Sequence, residues 1–232
     1  MSILDWKMAT VTDVGPASHD IVKLVLRAPH ITSYRAGQYC ELRVPNKPDI
    51  SRIYSIASAP GVSDTVEFGV QVLPNGELSP RLANVKTGDT VEIRGPHGGV
   101  FIWTPETPGP LVLIAGGSGV VPLVSMLRTY NQKPDGRDVR ILMSAKTLAH
   151  VPYWGELEKA RAIFTLTREK PQDWTGGARR VDKQMLADFC DGLQNKKPAI
   201  YVCGKSGFVE TVMNLLTELG FDPRKILAER FD

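Results

Sequence analysis

The chain is poor in metal-binding side chains, with three cysteines and four histidines in 232 residues. Cys40, Cys190 and Cys203 lie far apart with no Cys-x-x-Cys, which excludes an iron–sulfur cluster, a structural zinc site and a disulfide scaffold built from this chain. Long hydrophobic runs are missing as well. The longest uninterrupted aliphatic stretch, Leu111–Ala115, is far too short to span a membrane, and Asp5 and Lys7 stand where a signal peptide needs its apolar core. A cytoplasmic protein without a membrane span is expected. Nor does one sign of charge dominate: 28 Lys and Arg against 25 Asp and Glu leave a net +3, dispersed along the chain, which argues against nucleic acid as the partner. Internal repeats and low-complexity segments are absent.

What remains is ordinary globular material, 42% hydrophobic, with 21 Gly and 17 Pro that predict many turns. Two sequence grammars divide it. In the first half apolar residues recur at every second position: Val22, Leu24 and Leu26; Cys40, Leu42 and Val44; Val66, Phe68, Val70 and Val72; Val91 and Ile93. Half-buried antiparallel strands have this period, and Gly37, Pro45-Asn46, Pro60-Gly61 and Gly88-Asp89 punctuate them as turns. One helix is expected from Leu78 or Ser79 to about Val85, within a small barrel or sandwich. The Pro-rich stretch Thr104–Pro110 then reads as a linker. Beyond it, Leu111–Ala115 and Ala199–Cys203 are continuous apolar runs, each followed by glycine and a helical pattern, as in strands buried on both faces of a parallel sheet. Further strands are expected near Val139–Met143 and Ile163–Leu166, and helices near Tyr153–Ala160 and Asp182–Phe189.

Gly116-Gly117-Ser118-Gly119-Val120-Val121-Pro122 follows a buried strand and opens a helix. Glycines let a diphosphate approach the backbone, and the free amides and dipole of a helix start favour its charge. A tight turn that binds nothing is the competing reading of this loop alone. It is not a P-loop, since no Gly-Lys-Ser/Thr follows, and Gly204-Lys205-Ser206 lacks the required glycine five residues earlier.

Arg52-Ile53-Tyr54-Ser55 places an aromatic plane and a hydroxyl on successive residues, able to bracket a flat heterocycle, with the Arg52 fork on the Tyr54 side. This segment resembles the RxYS flavin motif of the ferredoxin-NADP reductase superfamily. Gly76-Glu77-Leu78-Ser79 resembles its GxxS element, although a simple Ser N-cap has the same sequence. Gly95–Phe101 resembles its GPxGxF turn, the Gly117–Pro122 loop its nucleotide loop, and Tyr201-Val202-Cys203-Gly204 its late Cys-Gly strand, with Lys205 where Pro is common. Glu229-Arg230-Phe231-Asp232 is similar to its terminal Glu-x-aromatic, with one additional Asp.

The resemblance implies an N-terminal antiparallel Greek-key β-barrel for FAD, residues 1–104, and a C-terminal α/β Rossmann-like parallel sheet for NAD(P), residues 105–232. It implies an NAD(P)H-dependent flavoprotein reductase in which hydride passes from NADPH, or NADH, to FAD. Arg52, Tyr54, Ser55, Gly76, Leu78, Ser79 and Phe231 would hold FAD. Gly117, Ser118, Gly119, Pro122, Lys146, Thr167, Arg168, Arg179, Cys203 and Gly204 would hold the nicotinamide nucleotide. Ser55, Cys203 and Glu229 would be the catalytic residues beside the reacting rings, and Phe231 would cover the flavin face until displaced. Without the resemblance, Cys203 reads as packing and the terminal residues as a frayed tail.

Basic side chains favour NADPH: Ser144–Thr147 carries no acid, and Lys146, Arg168 and one of Arg179 and Arg180 form a candidate 2′-phosphate cluster, against the plainer reading of solvated surface charges. The electrons would leave to a separate redox acceptor protein: ferredoxin, flavodoxin, or a monooxygenase, haem or molybdenum component. The alternative class is a non-catalytic flavin- or nucleotide-binding module that senses redox state or supports a complex.

Overall fold

The structure is a computed structural model that describes residues 5–31 and 33–231. The start of the amino-terminal stretch and the additional Asp232 lie outside the described residues. Alternating side chains in the first half build six strands: β1 (Lys7–Pro16), β2 (Ile21–Arg27), β3 (Tyr39–Arg43), β4 (Ser51–Ser55), β5 (Thr65–Gln71) and β6 (Thr90–His97). They form an antiparallel sheet in the order β4-β3-β6-β1-β2-β5. A bridge between Ile56 and Phe68 joins its two edges and closes the barrel. Leu24, Leu26, Cys40, Leu42, Val66, Phe68, Val70, Val91 and Ile93 fill its interior, as period two requires. Val72 falls past the end of β5 and is half-buried.

The barrel's helix, α1 (Ser79–Ala83), is shorter than its sequence pattern, and Ser79 does not cap it. The cap position is Leu78, Pro80 occupies the first turn, and the Ser79 hydroxyl accepts instead from the Leu73 amide at 3.0 Å.

In the second half, β7 (Leu111–Gly116), β8 (Val139–Ala145), β9 (Ile163–Leu166), β10 (Ala199–Lys205) and β11 (Ile226–Phe231) form a parallel sheet in the order β11-β10-β7-β8-β9. Their helices are α2 (Val120–Gln132), α3 (Trp154–Lys159), α4 (Lys183–Phe189) and α5 (Ser206–Glu218). The continuous apolar run of β7 is explained by burial on both faces. Leu113 and Ala115 pack with α2 and α3, while Val112 and Ile114 pack with α4 and α5. Strand order reverses at β7, so the loop after it opens at the sheet's switch point, where open α/β sheets bind ligands.

The Pro-rich stretch is not a free linker. The Arg137 guanidinium donates to the Thr107 and Pro105 carbonyls at 2.6 and 2.7 Å, and Gly109 (φ 83°) approaches the Lys197 carbonyl too closely for a Cβ. The halves also share a core, in which Ala36, Ala57, Phe101 and Trp103 pack with α2 and with Tyr201 of β10.

Candidate active site

Two cavities meet where the barrel faces the parallel sheet. The first, about 740 Å³, runs along β4 and the Gly76–Ser79 turn to the end of β11. Arg52, Tyr54, Ser55, Gly76, Leu78, Ser79, Glu229 and Phe231 all line it. The Gly76 turn is tight: a Cβ there would meet Ser79 Oγ at 3.0 Å and the Leu73 carbonyl at 3.1 Å. Strict alternation along β4 does not hold. Ile53 and Ser55 share a nominal side, yet Ile53 is 59% exposed and Ser55 is 6%. As an edge strand, β4 has a single neighbour and the cavity runs along its length, so five successive residues, Ser51 to Ser55, contribute to the wall.

Ser55 Oγ is buried and has no hydrogen-bond partner. A buried hydroxyl without a partner is costly, and one lining a cavity is supplied by whatever fills that cavity. This orphaned group, the tight Gly76 turn, and the aromatic rings of Tyr39, Tyr54 and Phe231 around the same space fit a flat heterocycle with a polar edge and a phosphate tail. Burial pushes the Tyr54 phenol up to about 12, with Arg52 opposing, so it presents a neutral ring. Burial likewise raises the Glu229 carboxyl to about 7, which makes it able to hold or release a proton near neutrality. Cys203 lies in register between Ala115 and Glu229, is fully buried and lines neither cavity. Burial first, and then Glu229, pushes its thiol well above its ordinary value.

The second cavity, about 510 Å³, lies over the C-terminal ends of β7, β8 and β9. Gly117, Ser118, Lys146, Thr167 and Arg168 line it. Gly119 and Pro122 lie beneath, at the cap and in the first turn of α2, where proline's missing N–H leaves no helical bond unmade. Gly204 lies beside Gly116 under the Phe208 ring. Arg179 is not part of the lining; it pairs with Asp182 at the start of α4. Arg180 lines the cavity instead, so the candidate cluster is Lys146, Arg168 and Arg180, and Lys205 lines the same cavity.

Gln71 and Ser118 line both cavities. Ser118 Oγ donates to Gln71 Oε1 at 3.0 Å, and Gln71 Nε2 donates to Asp20 at 2.9 Å. The Ser118–Gln71 pair therefore stands where the two cavities join. Gln71 and Tyr39 were not singled out in the sequence because each reads as the outward residue of an alternating strand, and Val121 because it reads as an apolar residue at a helix start. Among the described residues no group of His, Cys, Asp or Glu is placed to hold a metal ion, and no helix is long and apolar enough to cross a membrane.

The oxidoreductase FAD-binding domain family matches residues 8–102 and the oxidoreductase NAD-binding domain family matches residues 113–214. A ferredoxin-NADP reductase B of Sorangium cellulosum is 31% identical over 211 residues, covering 86% of this chain and 86% of its own length. The chain belongs to the ferredoxin-NADP reductase-like family of FAD- and NAD(P)-binding oxidoreductases. It is also 31% identical to the reductase component of propane 2-monooxygenase from Mycolicibacterium goodii, over 89% of the chain but 62% of that protein's length. The crystal structure of an Amycolatopsis cytochrome P450 reductase superposes with a TM-score of 0.82 at 26% identity, covering 98% of this chain and 71% of that one. The chain thus joins a six-stranded barrel, matched by the FAD-binding domain family, to a five-stranded parallel sheet, matched by the NAD-binding domain family.

Proposed function

We propose that this reductase takes hydride from NADPH, in preference to NADH, and passes electrons to a separate acceptor protein. The observation that carries the reading is the continuity of the two cavities at Gln71 and Ser118, which gives a single path from a basic nucleotide site to the flavin wall. In this reading the domains divide at Thr104/Pro105. Bound FAD supplies a two-electron acceptor that can release electrons one at a time. The protein's own residues do the rest. Arg52 and the Gly76–Ser79 turn hold the flavin phosphates, Tyr54 packs on the ring and the Ser55 hydroxyl donates to its polar edge. Gly117, Ser118 and the start of α2 receive the nucleotide diphosphate, and Lys146, Arg168 and Arg180 face a 2′-phosphate. Glu229 sits at the mouth of the ring site with a carboxyl poised near neutrality. Phe231 shields the ring site from water until the nicotinamide takes its place. Cys203 acts through the backbone, holding the strand end that carries Gly204 and contacts Gly119.

An oxygenase component is the acceptor that this reading favours, supported by relatives named as reductase components of monooxygenase and dioxygenase systems. Purified protein should carry a visible flavin spectrum that anaerobic NADPH bleaches, with NADH slower at equal concentration. A retained flavin that neither nucleotide reduces would favour the non-catalytic module instead.

A further inference from the structure

The geometry points to Arg128 as a positioning residue for hydride transfer: its guanidinium, on α2, is the strut that sets the nucleotide loop's distance from the flavin wall. The inference rests on the hydride-transfer reading above and names the device that aligns it.

Helix α2 begins at the nucleotide loop, and its second residue, Val121, lines the flavin cavity. Two turns on, about 10 Å along the axis, Arg128 crosses to the barrel. There Nη1 donates to the Ala57 carbonyl at 3.1 Å and pairs with Glu67 of β5 at 3.1 Å. Ala57 lies two residues beyond Ser55, and Glu67 lies two before Gly69 and four before Gln71, all three of which line the flavin cavity. Ser125, one turn earlier, adds a hydrogen bond to the Ser58 carbonyl at 2.7 Å. Behind the guanidinium, Glu156 of α3 receives Nε and Nη2 at 2.8 and 2.6 Å, and the Tyr153 ring lies 5.2 Å away. Tyr153 itself is held at φ 56°, with its amide bonded to the Ala17 carbonyl of the barrel. The Arg128 and Glu67 side chains are 22% and 15% exposed, so the pair is largely shielded from solvent.

The arrangement is asymmetric. The bidentate Glu156 grip belongs to the parallel-sheet half and orients the guanidinium, while the Glu67 and Ala57 contacts carry the connection across to the barrel. The latter therefore bear on the gap between cofactors. A slip of about 5° about this strut moves the helix start by about 1 Å over that 10 Å arm, and misplacement by about 1 Å can slow transfer a hundredfold. Close approach makes the spacing unforgiving: a Cβ on Gly69 would meet the Val121 side chain at 2.5 Å.

The test is anaerobic single-turnover bleaching of the flavin by NADPH in the whole chain, comparing Glu67→Gln and Arg128→Lys with Glu156→Gln. The first two should reduce at least tenfold more slowly at saturating NADPH and show a weaker nicotinamide–flavin charge-transfer band, with NADPH affinity and FAD content within twofold of wild type. Glu156→Gln, which removes a carboxylate from the same guanidinium but no cross-domain contact, should stay within threefold in rate. Should the charge variants fail to fold, the isosteric Ser125→Ala removes one crossing bond and should slow reduction severalfold with unchanged affinity. Equal rates in the Glu67 and Glu156 variants, wild-type rates in the crossing variants, or loss of FAD from Glu67→Gln would each overturn the strut. A wild-type flavin that NADPH does not bleach would instead overturn the hydride-transfer reading.

Discussion

Replacing Gly119 by alanine isolates the physical basis of the nucleotide loop. Gly119 has helical backbone angles, φ −59° and ψ −12°, so by conformation alone alanine is welcome there and would stabilise by roughly 0.4–1 kcal/mol. Contact reverses the sign. The added Cβ would lie 2.2 Å from the Cys203 carbonyl oxygen and 2.6 Å from the Gly204 nitrogen, whereas ordinary contact begins at 3.4 Å. These are backbone atoms of β10, held between β7 and β11, so the loop must retreat by about 1.2 Å instead. Overpacking costs about 1–3 kcal/mol, which offsets the conformational gain and leaves a net loss of up to about 2.6 kcal/mol. The retreat also shifts the amides that receive the diphosphate, so NADPH affinity should fall about tenfold, equivalent to about 1.4 kcal/mol. Gly117→Ala is the comparison: a Cβ there meets nothing within 4 Å, but φ is +58°, so strain of roughly 1–2 kcal/mol acts without displacing the loop against β10. Urea denaturation and NADPH titration of both variants separate the two effects. If Gly119→Ala were as stable as wild type and bound NADPH equally well, the close approach of loop and strand would be wrong.

Three further outcomes follow from named groups. Burial raises the Glu229 carboxyl from 4.5 to about 7, so below pH 4.5 both folded and unfolded states are protonated and no penalty exists. As pH rises from 4.5 to 7 the unfolded state loses the proton first, so stability falls, by about 1–3 kcal/mol, and then levels off. A pH series of denaturation curves should show Glu229→Gln lacking this decline, and an unchanged slope would refute the assignment. Arg180→Ala should raise the NADPH KM about tenfold and leave NADH little changed, since a charge-assisted bond contributes roughly 1.5–3 kcal/mol. Arg179→Ala should leave both KM values little changed, because Asp182 already occupies that guanidinium; the reverse ranking in steady-state kinetics would restore Arg179 to the site. Ser55→Ala should stabilise flavin-free protein by about 1 kcal/mol, by removing a buried hydroxyl without a partner, and weaken FAD retention. Thermal melts with and without FAD test this, and a destabilised apoprotein would refute it.

The architecture was largely legible because its causes are local. Period-two alternation marks Leu24, Leu42 and Phe68 as one face of a barrel, and the unbroken Leu111–Ala115 run marks a strand covered on both sides. The motifs around Tyr54, Gly76 and Gly117 pointed to flavin and nucleotide through their joint resemblance to the ferredoxin-NADP reductase superfamily, since each alone also reads as an ordinary strand, cap or turn. Local pattern failed where a neighbour distant in sequence intervened. The Ser79 hydroxyl met Leu73 instead of capping its helix, and the exposure of Ile53 against Ser55 depended on β4 being an edge strand.

Choices among chemically equal residues belonged to the tertiary structure. Arg179 and Arg180 are adjacent and identical in type, and only the position of Asp182 separates the surface pair from the one facing the nucleotide cavity. Gln71 is an outward residue of an alternating strand until the parallel sheet places Ser118 against it, 47 positions away. Arg128 and Glu67 are unremarkable helix and strand charges until two domains bring them within 3.1 Å. What the sequence carried was the period of each strand and, through a family resemblance of several short motifs, the expected cofactors, because strands and turns are local backbone chemistry. The distance between those cofactors, on which transfer depends, is set by contacts across the domain boundary that no periodicity records.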